Sequence, residues 1–276
     1  MEKSSSIPKI IHFVWIGTKP KSELILKCIE SWKKFCPDYE IKEWGNDAAE
    51  KISNRYMQEA LAAKKYAFVS DYLRLYALKT EGGFYFDTDL EITQPLKKEM
   101  HQFDFISGYE NWKGHILPVV PAFMGAKKGC QIISDLLSEY DDISFLINGE
   151  PDLTTNTARI TAYFKEKFGL TEPYDKNATT KLNDCGILYP SYIFCTPETG
   201  KENYAIHHFD ASWKVYENWS RKGLLSIWRY RLALFKNLFY QEEDKLPMRE
   251  GERWIKKWQI NKNAFIALLK KDKKKS

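Results

Sequence analysis

The chain has 276 residues, 43% of them hydrophobic, which is enough for one sizeable α/β core. Its net charge of +5 is uneven, because residues 219–276 hold 16 Lys/Arg against 6 Asp/Glu, giving +10 there and leaving −5 for the first 218 residues. The sequence has no apolar run of about 18 residues, and its five cysteines show no Cys-X-X-Cys spacing, so a membrane-spanning helix, a zinc site and a disulfide framework are not predicted.

The first 44 residues predict the start of a parallel α/β sheet. Residues 9–16 are nearly all apolar, as in a strand buried on both faces. Residues 22–35 show the apolar spacing of an amphipathic helix, and residues 39–44 follow as a second strand. Ligands of such sheets bind beyond the carboxyl ends of the strands, where Trp15 lies. A core tryptophan is the alternative interpretation of this position.

A helix is predicted for residues 66–81, and Gly82-Gly83 predict its end, because glycine accepts the left-handed backbone conformation found there. Asp71 and Arg74 are three residues apart and therefore share one face of this helix. They form either a functional pair or an ordinary surface ion pair.

The strand predicted after the glycines carries two aspartates, Asp87 and Asp89. Side chains alternate along a strand, so both aspartates and Tyr85 face the same side. Neighbouring carboxylates repel each other unless a cation lies between them, and oxygen ligands suit Mg²⁺ or Mn²⁺, which typically also bind substrate phosphates. A solvated Asp-X-Asp turn is the alternative, but the ordered set with Asp71 and Arg74 favours a metal site.

The middle of the chain continues the α/β pattern. The loop between Tyr109 and Val119 contains Glu110, Asn111, Trp112 and His115; polar loops with aromatic residues often contact an acceptor, but surface loops have the same composition. Asn156 lies at a predicted helix start, where capping is its simplest role. The pattern predicts three further strands, at residues 103–109, 119–126 and 187–194, and two helices, at residues 129–140 and 154–168.

Two histidines follow a late extended segment. His207 and His208 are adjacent, so they face opposite sides of that segment, and one can enter a site while the other packs. A neutral imidazole can bind Mn²⁺ or donate to a phosphate. With Ser212 and Trp213 following, we favour His208 for the site.

The last part of the chain predicts a separate basic unit. Residues 223–240 form an apolar helical stripe opposite basic side chains, typical of an interfacial helix, although a helix packed on the catalytic domain fits the pattern nearly as well. We therefore predict a catalytic domain at residues 1–218 and a basic, amphipathic C-terminal helical extension at residues 219–276. The stripe comprises Leu224, Leu225, Trp228, Leu232, Phe235 and Phe239.

These motifs together resemble a known family. Ser70-Asp71-X-X-Arg74 followed by Gly82-Gly83-X-Tyr85-X-Asp87-X-Asp89 resembles the DXD-motif sugar transferases of glycosyltransferase family 32. That group includes capsular polysaccharide synthesis enzymes and yeast mannosyltransferases, and the core of clostridial glucosylating toxins is similar. The resemblance extends over roughly residues 7–215, because three more segments match the family, at residues 7–17, 28–32 and 206–213.

The resemblance implies a GT-A fold, a Rossmann-like mixed sheet flanked by helices that binds a nucleotide-sugar donor, most commonly UDP-linked. By this resemblance Trp15 would stack on the nucleotide base, and Asp71 and Arg74 would hold the donor sugar. Tyr85 would lie near the ribose or the sugar, and the DXD aspartates would hold the ribose and the metal-bound diphosphate. The resemblance thus implies the catalytic set Asp71, Arg74, Asp87 and Asp89.

The resemblance also implies contributions from later segments. The family often places a small polar group near the donor sugar at the position of Asn156. A late loop containing His208, Ser212 and Trp213 would close over the diphosphate, with His208 as a third metal ligand beside Asp87 and Asp89.

The predicted function is that of a Mn²⁺- or Mg²⁺-dependent retaining glycosyltransferase, a hexosyltransferase. Its acceptor would be a glycan or a lipid-linked oligosaccharide in capsule or other cell-surface polysaccharide synthesis. Residues 1–6 show no secretion signal, and with the basic extension this predicts a cytoplasmic protein in peripheral contact with the anionic inner face of the membrane.

Two other functions were weighed against this one. A phosphoryl or nucleotidyl transferase could use the same paired aspartates, but the sequence lacks a Gly-rich phosphate-binding loop. A non-enzymatic nucleic-acid binder could use the basic tail. That tail, however, lacks interleaved base-stacking residues, and the main domain is acidic, so no nucleic-acid partner is predicted.

Overall fold

A computed structural model describes residues 6–210. Helices and strands alternate along most of this range, as expected for an α/β fold. The helices are α1 (Glu23–Phe35), α2 (Asn46–Lys51), α3 (Arg55–Ala62), α4 (Tyr66–Glu81), α5 (Gln131–Ser138), α6 (Asn156–Phe168) and α7 (Ser191–Phe194), with a 3₁₀ turn at Lys98–Gln102. The strands are β1 (Ile10–Val14), β2 (Glu40–Trp44), β3 (Gly83–Phe86), β4 (Leu90–Ile92), β5 (Phe105–Gly108), β6 (Glu110–Trp112), β7 (His115–Leu117), β8 (Phe123–Ala126), β9 (Leu146–Ile147), β10 (Glu150–Pro151), β11 (Thr180–Lys181), β12 (Gly186–Tyr189) and β13 (Ala205–His207).

The main sheet has seven strands in the order β11-β12-β5-β8-β3-β1-β2. The pairs β1–β2, β1–β3 and β5–β12 are parallel, whereas β8 runs antiparallel to both β3 and β5. Three two-stranded ladders, β4–β13, β6–β7 and β9–β10, lie outside the main sheet. The predicted α/β class, a mixed sheet flanked by helices, is confirmed.

Buried side chains form a hydrophobic cluster on each face of the sheet. Tyr85 belongs to the cluster that contains residues of α3 to α6, and Phe84 and Phe86 belong to the cluster that contains residues of α1 and α7. Adjacent residues of β3 thus point to opposite faces, as alternation along a strand requires. The same alternation brings Tyr85 to the face where α4 packs.

Helix α1 fixes the strand that follows the two aspartates. The Ser22 side chain caps the helix by accepting from the Ile25 N–H. The indole N–H of the fully buried Trp32 donates to the Leu90 carbonyl at 2.7 Å, and Ser31 Oγ accepts from the Ile92 N–H at 2.9 Å. These bonds join α1 to β4 and so hold the end of the Asp-Thr-Asp segment in place.

The predicted end of α4 is confirmed at Gly82-Gly83. Both glycines have positive φ angles, +72° and +101°. A Cβ on Gly83 would lie 2.6 Å from the Ile10 carbonyl oxygen, so only glycine lets β3 begin this close to β1. The Gly82-Gly83 turn therefore fixes the position of β3 and, with it, of the aspartates that follow β3.

Two local expectations need correction. Residues 187–194 do not form one strand, because β12 ends at Tyr189 and Pro190 starts the short helix α7. Helices α2 and α3 were not expected from the sequence.

Among residues 6–210, no helix has both the length and the apolar character needed to cross a bilayer. All five cysteines are free thiols.

Candidate active site

The Asp-Thr-Asp segment is a turn, not part of a continuous strand. Strand β3 ends at Phe86 and β4 begins at Leu90, whose N–H donates to the Asp87 carbonyl at 2.9 Å across the turn. The sequence prediction of one strand is therefore wrong in backbone geometry. The two carboxylates still converge, because the turn folds Asp89 back toward Asp87.

Asp87 is oriented by two side chains. The Tyr85 hydroxyl donates to Asp87 Oδ1 at 2.9 Å, and the Arg74 guanidinium donates to the same oxygen at 3.3 Å. The Arg74 guanidinium also stacks over the Tyr85 ring at 4.8 Å. One carboxylate oxygen of Asp87 is thus occupied by protein donors, which leaves the other for a ligand.

Asp89 is buried and is held by groups more than a hundred positions later in the chain. Its Oδ2 accepts from the Asp210 N–H at 2.8 Å, and its Oδ1 lies 3.5 Å from His207 Nε2. Burial raises the pKa of this carboxyl, but the hydrogen bonds from His207 and Asp210 outweigh burial and lower it. Asp89 is therefore a carboxylate at neutral pH.

His207 joins the two aspartates in a compact cluster. One potential ligand atom each from Asp87, Asp89 and His207 lies within 4.8 Å of the other two. Burial lowers the pKa of His207, but Asp89 together with Cys195 and Asp87 raises it to about 10. In the absence of a cation the imidazole is thus protonated, and it supplies the positive charge that offsets the two carboxylates.

The structure places His207, rather than the predicted His208, at the aspartates. Strand β13 pairs with β4, so adjacent residues alternate, and the His208 imidazole turns away to bond Glu91 Oε2 at 2.9 Å. Lys27 also donates to that oxygen at 2.9 Å. The sequence predicts that the two histidines face opposite sides of the strand. Which of them faces the aspartates depends on the β4–β13 register, which the sequence does not show.

The two histidines form a matched pair for mutagenesis. We expect His207→Ala to weaken Mn²⁺ binding at least about tenfold, because it removes one of the three side chains that converge on the proposed cation site. His208→Ala, which removes only a bond to the partly buried Glu91 carboxylate that Lys27 also binds, is expected to change Mn²⁺ affinity by less than about twofold. Calorimetric titration of both variants measures this. Equal losses in the two variants would contradict the assignment of His207.

Asp71 and Arg74 form a buried pair, not a surface pair. Arg74 is 5% exposed, and its guanidinium contacts Asp71 Oδ1 at 3.2 Å and donates to the Pro121 carbonyl at 3.2 Å. Burial raises the pKa of Asp71 to about 6, which Arg74 partly offsets. Because one guanidinium contacts both Asp71 and Asp87, the helix and the aspartate turn form a single charged network.

Asn156 and Arg159 extend this network from α6. Thr155, not Asn156, caps the helix, with its Oγ accepting from the Ala158 N–H. Asn156 is instead buried beside Asp71, close enough for its amide to lower the pKa of that carboxyl, although neither polar atom of the amide makes a well-formed hydrogen bond to another residue in the range 6–210. An unpaired buried amide needs a ligand to compensate its desolvation.

Arg159 was not predicted from the sequence. It donates to Asp152 at 2.8 Å, lies over the rings of Tyr56 and Tyr140, and also lowers the pKa of Asp71. Its position one helical turn after Asn156 was the available signal, because such residues share a helix face.

Trp15 borders an open cleft of about 860 Å³ at the carboxyl ends of β1 and β2. The ring is only partly buried, and its indole N–H donates to the Lys19 carbonyl at 3.1 Å. Trp44 and Asn46 also line the cleft. Trp15 thus has an accessible ring at a sheet edge, although the aspartates and His207 do not line this cleft.

The remaining predicted residues lie beyond the described range. Ser212 and Trp213, the boundary at residue 218 and the basic extension all fall outside residues 6–210. Their roles remain predictions.

The cluster of two carboxylates and an imidazole can hold a divalent cation. Carboxylates suit Mg²⁺ and Mn²⁺, and an imidazole nitrogen is more compatible with Mn²⁺ than with the all-oxygen preference of Mg²⁺. Beside the cluster, the Asp71–Arg74 pair and the unpaired amide of Asn156 offer donors and acceptors to a polyhydroxylated ligand. The arrangement suits a substrate that joins a diphosphate to a sugar.

Residues 22–107, from α1 through the aspartate turn to β5, match the family model of the glycosyltransferase sugar-binding region containing the DXD motif. This part of the chain is similar to the sugar-binding region of DXD-motif glycosyltransferases. The predicted resemblance is thereby confirmed, and this family typically uses a divalent metal. Within the matched range lie Asp71, Arg74 and both DXD aspartates, whereas Asn156 and His207 lie after it.

Individual proteins show the same similarity. A toxin of Photorhabdus asymbiotica is 31% identical over a match that covers 30% of this chain and 4% of the toxin. The solved PaToxG glycosyltransferase is 25% identical, with 60% of this chain and 72% of that chain covered and a TM-score of 0.45. A glycosyltransferase involved in glycosylation of the major capsid of PBCV-1 is 12% identical, with coverages of 75% and 95% and a TM-score of 0.44.

Proposed function

We propose that this protein is a Mn²⁺-dependent retaining glycosyltransferase that transfers a hexose from a UDP-linked sugar to a glycan or lipid-linked oligosaccharide in cell-surface polysaccharide synthesis. The convergence of Asp87, Asp89 and His207 beside the buried Asp71–Arg74 pair carries the proposal. Mg²⁺ is the second choice of cation, because its preference for oxygen ligands fits His207 less well.

Each group in the site has a part in the proposed reaction. Asp87, Asp89 and His207 would hold the cation, which neutralises charge developing on the leaving diphosphate. Arg74 places a fixed positive charge near the same region and holds Asp87 in orientation. Asp71 and Asn156 would accept and donate hydrogen bonds to the donor sugar, which satisfies the unpaired Asn156 amide.

Retention is proposed from the family resemblance, and the environment of Asp71 favours a front-side displacement over a covalent glycosyl-enzyme intermediate. The Asp71 carboxylate is tied to the Arg74 guanidinium at 3.2 Å. A front-side displacement needs no protein nucleophile, because the acceptor hydroxyl attacks the face that the diphosphate leaves and passes its proton to the departing phosphate oxygen.

A nucleotide-sugar screen tests the proposed function. The full chain is incubated with UDP-, GDP-, CMP- and TDP-linked sugars in the presence of Mn²⁺, Mg²⁺ or a chelator, and free nucleotide is measured. The expected result is metal-dependent release of UDP, faster with Mn²⁺ than with Mg²⁺. Absence of release from every donor overturns the proposal. Release of inorganic phosphate or nucleotide transfer instead of sugar transfer would favour a phosphoryl or nucleotidyl transferase.

Trp15 is expected to bind the nucleotide base. Stacking on a base is worth about 1–3 kcal/mol, so Trp15→Ala should weaken UDP binding about tenfold or more. Because Trp15 is only partly buried, the variant is expected to remain folded. Calorimetry with UDP and Mn²⁺ measures the affinity, and Trp15→Phe, which keeps an aromatic face, serves as the control. Unchanged affinity in Trp15→Ala would assign the ring to packing alone.

Peripheral membrane contact is proposed from the sequence alone. Residues 219–276 carry a net charge of +10 together with an apolar stripe, and each basic residue near an anionic surface contributes about 1 kcal/mol. We expect the full chain to sediment with phosphatidylserine-containing vesicles at low salt and to be released at high salt, since salt screens the attraction. Neutral vesicles are the control. Salt-independent sedimentation would contradict an electrostatic contact.

A further inference from the structure

The β6–β7 hairpin is a rigid projection next to the proposed site. Its two turn residues, Lys113 and Gly114, have φ angles of +52° and +89°, the combination found in tight two-residue hairpin turns. Asn111 anchors it, because Thr196 Oγ1 donates to the Asn111 carbonyl at 2.6 Å and Asn111 Oδ1 accepts from the Gly114 N–H at 3.0 Å. The hairpin backbone is thus fixed without help from the two neighbouring side chains of β6.

Those two side chains, Glu110 and Trp112, share the face of β6 opposite Asn111, because residues two apart lie on one face. Glu110 is partly buried, and within residues 6–210 its carboxylate has no hydrogen-bond or ion-pair partner. It nevertheless lies within electrostatic reach of His207, Asp87 and Arg74, and burial raises its pKa to about 7. Trp112 is 50% exposed.

Burying an ionisable group without a partner is unfavourable, so a carboxylate kept in this position points to a ligand. The ligand is not the diphosphate, because two negative groups repel. Glu110 also lies outside the compact cluster of Asp87, Asp89 and His207. A neutral hydroxyl group, by contrast, can donate a hydrogen bond to this carboxylate, and hydroxyl groups are what a sugar-transfer site must bind.

We propose that Glu110 and Trp112 form the acceptor site, where Glu110 accepts a hydrogen bond from the attacking hydroxyl and Trp112 packs against an acceptor sugar ring. This inference rests on the proposed function. The hydroxyl oxygen bonds to the anomeric carbon while the bond from that carbon to the diphosphate breaks. The proton passes to the leaving phosphate oxygen, and Glu110 orients the hydroxyl throughout.

Two activities of the full chain test the acceptor site. The first is donor hydrolysis, in which water is the acceptor. The second is transfer to a panel of p-nitrophenyl hexosides as probe acceptors. Glu110→Gln is expected to lower kcat for hydrolysis at least about tenfold while the donor KM and the Kd of UDP stay within about twofold. Trp112→Ala is expected to raise the hexoside KM about tenfold.

Matched controls come from the other exposed hairpin. Glu150→Gln on β10 removes the charge of another carboxylate, and Ile147→Ala on β9 truncates another exposed apolar side chain, and neither residue belongs to the residues assigned to the site. If Glu110→Gln and Trp112→Ala change the hydrolysis kcat and the hexoside KM no more than the controls do, the acceptor site is overturned and the proposed function stays intact. Wild-type hydrolysis without transfer to any hexoside overturns the role of Trp112. Absence of wild-type donor hydrolysis overturns the proposed function and this inference with it.

Discussion

Asp89→Asn is expected to lower turnover on the order of 10²-fold or more, the usual effect of losing a preorganised charge beside a developing charge. The substitution preserves the shape of the side chain and removes its negative charge. It also weakens two contacts that centre on this carboxylate, the Asp210 N–H at 2.8 Å and His207 at 3.5 Å. Both the cation and its third ligand therefore lose a partner.

Steady-state turnover across a Mn²⁺ titration measures the effect. The control is Asp104→Asn, which changes a half-exposed aspartate paired with Lys127 outside the site and is expected to leave turnover unchanged. If Asp89→Asn approaches wild-type turnover at saturating Mn²⁺, the charge of Asp89 contributes to Mn²⁺ affinity but not to turnover. If it approaches wild-type turnover at every concentration, the metal site is wrong.

Arg74→Ala is expected to abolish transfer and to destabilise the fold. Arg74 is 5% exposed and contacts both Asp71 and Asp87. Its removal takes away the counter-charge that both carboxylates contact directly, and breaking a buried pair in this way costs about 3–5 kcal/mol. Loss of a surface pair, the alternative left open by the sequence, would cost only about 0–1 kcal/mol, so the burial of Arg74 increases the expected loss of stability.

Urea unfolding together with a transfer assay separates the two effects. Arg55→Ala is the matched control, because Arg55 forms an exposed ion pair with Glu59 one helical turn away and should change stability by less than about 1 kcal/mol. Arg74→Lys keeps the charge but loses the planar fork that reaches Asp71 and Asp87 together, so it should recover part of the stability and little of the activity. A stable, active Arg74→Ala would remove Arg74 from the site.

Much of the fold was predictable, because it depends on local patterns. The apolar run of β1, the helical spacing of α1 and the Gly82-Gly83 end of α4 each follow from short-range rules. Helices α2 and α3 were missed because they are only six and eight residues long, too short for a clear helical periodicity. The antiparallel insertion of β8 between β3 and β5 depends on contacts between distant segments, which no local pattern specifies.

The site was predictable in composition but less so in geometry. The DXD aspartates, Asp71 and Arg74 were identified from spacing, and the structure brings all four together. His207 was missed because the choice between two adjacent histidines depends on the register of β13 on β4. The burial of Arg74 and the lack of a hydrogen-bond or ion-pair partner for Glu110 within residues 6–210 are tertiary properties. They depend on which segments surround a side chain rather than on its neighbours in the chain.

The β4–β13 ladder has a consequence for the order in which the molecule assembles. It pairs Leu90 with His207, more than a hundred positions apart, whereas β3 pairs with β8 across fewer than fifty. Closing the longer loop costs more chain entropy, and only three residue pairs compensate for it. By loop-closure entropy we expect β3 to pair with β8 before β13 reaches β4. In that order the two carboxylates would meet before His207 joins them, and a bound cation would then favour the closing step.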